Sequence, residues 1–228
     1  EYVSEWLGIP VAEMVGDGTK LGLFTARQID TIGLAIRAME AGDGFIDGSG
    51  TGMGKGRVGA ALIGYYAKKK GLMPVFVTEG PGLYKDMLER DMRDIGIFEE
   101  TFGRVICTNG KTLTLERDDG TKYVISNPAV AIREVARAMA AGEVPYVQID
   151  GVKTKVGAIF TTHSQLSDQG GVESPRVSAL KDLAPHAMFV VDEAHNSSGD
   201  SSRGRTAQQL VNSAGAVTYM SATWAKRP

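Results

Sequence analysis

Two groups of residues in this 228-residue chain combine types and spacings that chemistry requires. The first is Ser49-Gly50-Thr51-Gly52-Met53-Gly54-Lys55-Gly56-Arg57, preceded by the short apolar run Phe45-Ile46. Glycine at nearly every second position lets successive backbone N–H groups turn inward around an anion. The helix expected from Val58 onward adds the partial positive charge of its N-terminus. Lys55 supplies a full charge for outer phosphates. Gly50, Thr51, Gly52, Met53, Gly54, Lys55, Gly56 and Arg57 therefore read as a cradle for nucleotide phosphates. The usual form is G-x-x-x-x-G-K-[ST]. Ser49 stands where the first glycine would be, and Gly56 stands where a hydroxyl would ligate magnesium. The bland alternative is a flexible glycine linker. The loop by itself names no reaction.

The second group is Asp192-Glu193-Ala194-His195, entered directly from the apolar run Ala187–Val191. A strand that ends in two acids sets them at the carboxyl edge of a sheet, where open parallel sheets bind ligands. If that strand lies next to the phosphate-loop strand, Asp192 can hold the magnesium of a nucleotide. Glu193 can then orient or deprotonate a water, a separate job in phosphoryl transfer. His163, His186 and His195 show no metal-ligand spacing, which argues against zinc. Ser221-Ala222-Thr223 follows one more apolar run, Ala216–Met220.

The elements that would position these groups can be read in order. Residues 1–23 form a poorly patterned extension, broken by Gly8, Pro10, Gly16, Gly18 and Gly22. Thr25 is a candidate N-cap for a helix with Ile29, Ile32, Gly33, Ile36 and Met39 on one face. Gln28 in its first turn, with Phe24 just ahead, is either an adenine reader, since an amide donates at one end and accepts at the other, or a solvated helix residue. Strands are expected at Phe45–Asp47, Pro74–Thr78, Arg104–Cys107, Val156–Thr162, Ala187–Val191 and Ala216–Met220. Helices are expected at Val58–Lys70, from Leu83 to Ile95, at Ala129–Ala141 and near Pro175–Leu183. Lys68-Lys69-Lys70 suits a helix C-terminus without any nucleic acid. Strand–helix alternation predicts an α/β fold, a three-layer α/β/α sandwich around a mostly parallel sheet. Asp118-Asp119-Gly120-Thr121 marks a β-hairpin inserted over 111–126. The stretch from Ser167 to Glu173 is expected to be a polar, glycine-rich loop.

Composition sets bounds. Hydrophobic residues at 43% and charged residues at 23% fit a globular chain. A net charge of −2 gives no bulk attraction to nucleic acid or anionic lipid, so such binding would need a local patch. The single Cys107 excludes an internal disulfide and fits a reducing, intracellular compartment. No apolar run approaches the ~20 residues of a membrane span, so no membrane partner is expected. A start without methionine and a stop just after Ser221-Ala222-Thr223 suggest a piece of a longer protein.

Gln28, Gly52-Met53-Gly54-Lys55, Asp192-Glu193-Ala194-His195 (a DEAH box) and Ser221-Ala222-Thr223, in that order, resemble the first RecA-like motor domain of superfamily 2 helicases and translocases. The resemblance spans about residues 24–224. Gly54-Lys55-Gly56-Arg57, with D-M-L-E-R-D-M-R-D-I-G over Asp86–Gly96, is similar to the strawberry notch-like helicases, which also carry glycine after the lysine and occur in eukaryotic nuclei and in phage and bacterial genomes. The resemblance implies residues 24–228 as an ATP-binding domain, with ATP and Mg²⁺ as cofactors and nucleic acid, DNA above RNA, as partner. It implies a cytoplasmic location in phage or bacteria and a nuclear one in eukaryotes. It also implies catalytic roles for Lys55, Asp192 and Glu193, with Asp192 holding magnesium through water, and nucleotide contacts at Phe24 and Gln28. His195, Ser221 and Thr223 would couple the nucleotide to nucleic acid, and Gly80, Tyr84, Thr162 and Ser164 would contact the strand. A second motor domain with its arginine finger, worth on the order of 10³–10⁵ in rate, is expected outside this chain, so the piece alone should bind ATP and hydrolyse it slowly. The alternatives are a non-catalytic nucleic-acid-binding or scaffold module with a degenerate loop, for which Gly56 speaks, and a small-molecule kinase.

Overall fold

The computed structural model of the chain describes residues 2–96, 104–109, 113–116, 122–125, 129–149, 152–167, 172–197 and 201–222. Its elements are α1 (Tyr2–Leu7), α2 (Val11–Val15), α3 (Ala26–Glu40), β1 (Phe45–Asp47), α4 (Lys55–Tyr65), β2 (Met73–Thr78), α5 (Gly82–Asp86), β3 (Arg104–Cys107), β4 (Leu113–Glu116) and β5 (Lys122–Ile125). They continue with α6 (Ala129–Ala140), β6 (Tyr146–Ile149), β7 (Val152–Thr162), α7 (Pro175–Leu183), β8 (Ala187–Asp192), α8 (Ser202–Asn212) and β9 (Ala216–Met220). Helices α4 and α5 each run on into a wider π turn, over Tyr66–Lys70 and Met87–Met92.

Seven strands form one sheet in the order β1-β9-β8-β2-β7-β3, with β6 paired antiparallel to β7 and every other pairing parallel. Parallel strands need both faces covered, and two apolar layers supply the cover. One packs Ile32, Ile36, Leu62, Met92 and Met188 beneath α3, α4 and the Met87–Met92 turn. The other packs Ile132, Leu180, Phe189 and Leu210 beneath α6, α7 and α8. The expected three-layer sandwich is therefore the observed one. Every residue of β2 is buried, as continuous apolar runs in doubly covered strands should be.

Strand order departs from expectation at one place. The strand beside β1 is β9, not β8: Asp47 stands opposite Met220, which stands opposite Asp192. The acid pair is thus one strand removed from the phosphate-loop strand, although all three strands end at the same level. The hairpin forms, with Leu113 opposite Ile125 and Glu116 opposite Lys122; its turn lies outside the described residues, as do residues 168–171 of the glycine-rich loop and Thr223.

Three regions were not read from the sequence. The extension holds two short helices, with Val3 buried and the Trp6 ring tilted against Tyr65 at 6.2 Å between ring centroids. Strand β6 and the first residues of β7 make a second antiparallel pair, Ile149 opposite Val152. Helix α8 is capped by Ser201, whose hydroxyl accepts the Gly204 N–H. Among the described residues no helix is long and apolar enough to cross a membrane.

Candidate nucleotide site

The phosphate loop is held open from both ends. Asp47, buried at the end of β1, accepts the Ser49 N–H at Oδ1 (2.9 Å) and starts the turn. At the other end Gly54 caps α4 with φ of +76°, a left-handed conformation that costs an L-residue roughly 1–2 kcal/mol. Gln28 braces this point. Its Oε1 accepts the Thr25 N–H (2.8 Å) in a full capping box that starts α3. Its Nε2 donates to the Met53 and Gly54 carbonyls (3.3 and 3.2 Å). Both ends of the amide are thus spent on capping α3 and tying it to the loop, and Gln28 is buried. Phe24 is buried in the core and is not part of the cleft lining.

Lys55 sits in the first turn of α4, and its ammonium donates to the carbonyls of Ser49 and Gly50 (2.8 and 3.1 Å). It thereby closes the loop on itself. Arg57 lines the same cleft, but its guanidinium donates to the Leu23 carbonyl (2.9 Å) and pairs with Asp94. Its charge is largely committed to protein partners.

The acid pair faces this loop across Met220. Asp192 Oδ2 accepts the Thr78 hydroxyl (3.2 Å), and the Asp192 carbonyl accepts Nε2–H of buried His163 (2.7 Å). Burial, and next the charge of Glu193, push the Asp192 carboxyl above its ordinary value; the Thr78 hydroxyl and the charge of Lys55 pull it back. Burial likewise lowers the value for His163, keeping that ring neutral against a cost it would bear as a cation. Glu193 has φ of +48°, the sole left-handed non-glycine among the described residues. Such a conformation costs of order 1–3 kcal/mol and persists where the surroundings over-determine it. Here it turns the chain from β8 into the short helical turn Ala194–Ser197. His195 Nδ1 then lies 3.0 Å from Ser221 Oγ and 3.3 Å from Glu193 Oε2. Ser221, buried at the end of β9, donates its N–H to the Asp47 carbonyl (3.1 Å). One connected path therefore runs from Glu193 through His195 and Ser221 back to the start of the phosphate loop.

Between the loop and the acids lies a cleft of about 740 Å³, lined among others by Gln28, Thr51, Lys55, Gly56, Asp91, Asp192 and Glu193. The sequence-derived acids and lysine share it. A separate depression of about 500 Å³, lined by Leu72, Pro74, Val144 and Pro145 at the other end of the strands, contains none of these residues. A site for a divalent cation can be tested on the donors present. Asp192 is a partly shielded carboxylate beside Lys55 and Glu193, and hard oxygen donors facing a phosphate cradle suit magnesium. The residue after the lysine is a glycine, and a Cβ built there would overlap the Asp91 carboxylate, its Cγ only 2.9 Å away. Oxygen donors thus fill the place left by the missing hydroxyl, and the residues fit the cation.

The residues expected at a nucleic-acid surface divide in two. Gly80 is partly exposed and Ser164 exposed, whereas Tyr84 and Thr162 are buried. The Tyr84 hydroxyl donates to Asn109, Asn109 Nδ2 donates to Thr162 Oγ1 (3.2 Å), and Thr162 Oγ1 lies 3.0 Å from Ser164 Oγ. Tyr84 and Thr162 brace two loops from behind. Asp47, Thr78, Asp91 and Asn109, which support or line the cleft and these loops, carried no assignment from the sequence. Asp91 had left a signal: it sits on the apolar face formed by Met87, Leu88, Met92 and Ile95.

A loop, a lysine and an acid pair joined at the carboxyl edge of a parallel sheet define a P-loop NTPase. The chain belongs to the family described as P-loop containing NTP hydrolase pore-1, whose model matches residues 9–228. No curated protein sequence matches significantly. Two of the solved structures that share the fold serve as examples. The SWI2/SNF2 ATPase core of Sulfolobus solfataricus in complex with dsDNA aligns at 16% identity and a TM-score of 0.53, over 87% of this chain and 31% of that one. The UvsW helicase of bacteriophage T4 aligns at 13% identity and a TM-score of 0.55, over 97% of this chain and 59% of that one. The chain thus spans a third to three fifths of the length of these structures.

Proposed function

We propose that this chain is the ATP-binding first motor domain, residues 24–228, of a strawberry notch-like superfamily 2 DNA helicase or translocase, with residues 1–23 as an extension packed on it. The observation that carries the reading is the convergence of Lys55, Asp192 and Glu193 on one cleft, linked through His195 to Ser221. Membership of an NTP hydrolase family supports hydrolysis. The likeness to a helicase and to an ATPase core that holds dsDNA supports nucleic acid as the partner.

In this reading the loop amides from Gly50 to Gly56 and the ammonium of Lys55 bind the phosphates, and Lys55 gives up the Ser49 and Gly50 carbonyls to do so. Asp192 would hold Mg²⁺, which supplies charge neutralisation at the phosphates. Glu193 accepts a hydrogen bond from the attacking water and aligns it. His195 contacts both Glu193 and Ser221, so a shift of β9 is felt at the base, and Thr223, two residues on, belongs to the same segment. Gly80 and Ser164 offer an amide and a hydroxyl of the kind that tracks a sugar–phosphate backbone without reading sequence. A second motor domain would complete the cleft. The test is titration of a fluorescent ATP analogue with magnesium: the wild type should bind, and Lys55→Ala should weaken binding at least tenfold while melting normally. Equal affinity in the two proteins would overturn the reading. Hydrolysis by the complete parent protein that double-stranded DNA leaves unchanged would remove nucleic acid from it.

A further inference from the structure

We propose that Asp91 replaces the hydroxyl missing at position 56 and acts as a carboxylate ligand of the divalent cation that accompanies the nucleotide. The inference rests on the nucleotide-binding reading and adds a residue to it.

Three observations carry it. First, the space a side chain at position 56 would occupy is already taken. A Cβ built on Gly56 would overlap Asp91 Oδ2 and lie 2.9 Å from Cγ and 3.4 Å from Oδ1. Contacts below 3.0 Å are not made by real Cβ atoms, so Gly56 and Asp91 are mutually dependent: the carboxylate is there because the side chain is not. Second, Asp91 is 7% exposed, on a stretch whose other buried residues are Met87, Leu88 and Met92. A carboxylate on an apolar face needs a cation to justify its desolvation. Third, the cation it has now is a modest one. Arg90, its exposed neighbour in the chain, donates Nε to Oδ1 (3.2 Å) and Nη2 to Oδ2 (3.1 Å). That pair leaves the carboxylate lining the same cleft as Lys55 and Asp192. A bare carboxylate beside a triphosphate would repel it. A divalent cation between them turns that repulsion into attraction, and carboxylates are the preferred protein ligands of Mg²⁺.

The wide π turn Met87–Met92 explains how a helical residue reaches this position. One extra residue in a turn rotates the following side chains relative to a regular helix, and such bulges recur at functional sites. It brings Asp91 to the start of α4 while Met92 and Ile95 stay in the core.

The experiment measures the concentration of Mg²⁺ that half-saturates binding of the fluorescent ATP analogue, together with affinity in EDTA and the melting temperature. Bound Mn²⁺ is counted independently by electron paramagnetic resonance. Asp91→Asn should raise the half-saturating Mg²⁺ by about 10- to 100-fold, lower Mn²⁺ occupancy and leave affinity in EDTA at least as strong as wild type, because the carboxylate's repulsion of the triphosphate is gone. Gly56→Ser alone should melt early or lose the metal dependence, because the new side chain strikes Asp91. Gly56→Ser with Asp91→Ala should restore both, since it rebuilds the usual hydroxyl. Folded Asp91→Asn with unchanged Mg²⁺ and Mn²⁺ titrations overturns the proposal and leaves the nucleotide reading standing. If Asp91→Asn does not fold, the double variant decides: metal dependence recovered supports the proposal, and a folded double variant without it overturns it. A wild type that binds no nucleotide would sink the underlying reading.

Discussion

Replacing Gly54 by alanine tests whether the loop is shaped as described, with Gly50→Ala as its internal control. Gly54 has φ of +76°, and a Cβ there would overlap Nε2 of Gln28, with Cδ at 3.5 Å. The left-handed conformation costs roughly 1–2 kcal/mol for alanine. Displacing the Gln28 amide forfeits two hydrogen bonds to the Met53 and Gly54 carbonyls, at about 1 kcal/mol each. The total of about 3–4 kcal/mol is a large share of a stability near 5–15 kcal/mol. At roughly 2–4 °C per kcal/mol for a domain of this size, the melting temperature should fall by about 6–16 °C. Gly50 has no positive φ and nothing within 4 Å of its Cβ, so Gly50→Ala should stay within about 0.5 kcal/mol of wild type. Thermal unfolding followed by circular dichroism reads both. The steric part can be isolated in a Gln28→Ala background, where Gly54→Ala should cost only the backbone strain, a coupling of about 1 kcal/mol or more. Equal melting of the Gly54 and Gly50 variants, or strict additivity with Gln28→Ala, would refute the account.

Two further outcomes follow from the acid pair. Glu193→Gln in the complete protein should cut ATP turnover by about 10²–10⁴ with nucleotide affinity retained, measured by phosphate release and by the fluorescent analogue; unchanged turnover would take Glu193 out of its role. Asp192→Asn should raise the melting temperature at pH 7. Burial and Glu193 place the native carboxyl above its unfolded value of about 3.9, so the native state binds the proton more tightly and stability is lost as pH rises through that interval. The advantage of the Asn variant should shrink as pH falls toward 3.9, and an advantage independent of pH would contradict the assigned cause.

Local chemistry was the legible part of this molecule. The Thr25 N-cap and the Ile32, Ile36, Met39 stripe announce α3, and Gly-Lys before a helical period announces the loop and α4, because caps and periodicity act within a few residues. Long-range order was less legible. Nothing local says that β9 slips between β1 and β8, since three short apolar runs have no pairing preference until the helices pack over them. The residues from Asp150-Gly151 onward carried a turn signal for the β6–β7 pair that went unread, and the short α1 and α2 are hidden among Gly and Pro. At the cleft, Lys55, Asp192 and Glu193 could be singled out because each stands at an element end, and the three line one cleft. Gln28 lines it too, and its amide also caps α3 and ties down the loop. Asp91 lines the same cleft and was not singled out because an acid in a helix is ordinarily solvent-facing, and only its place between Met87 and Ile95 set it apart.

The interposition of β9 has a mechanical consequence. Its last residue is flanked by Asp47 on one side and Asp192 on the other, and the backbone that leaves it passes directly through Ser221. A displacement of β9 along its own axis would therefore shear the seam between the two halves of the cleft, and any ligand that bridged those halves would in turn resist the slip.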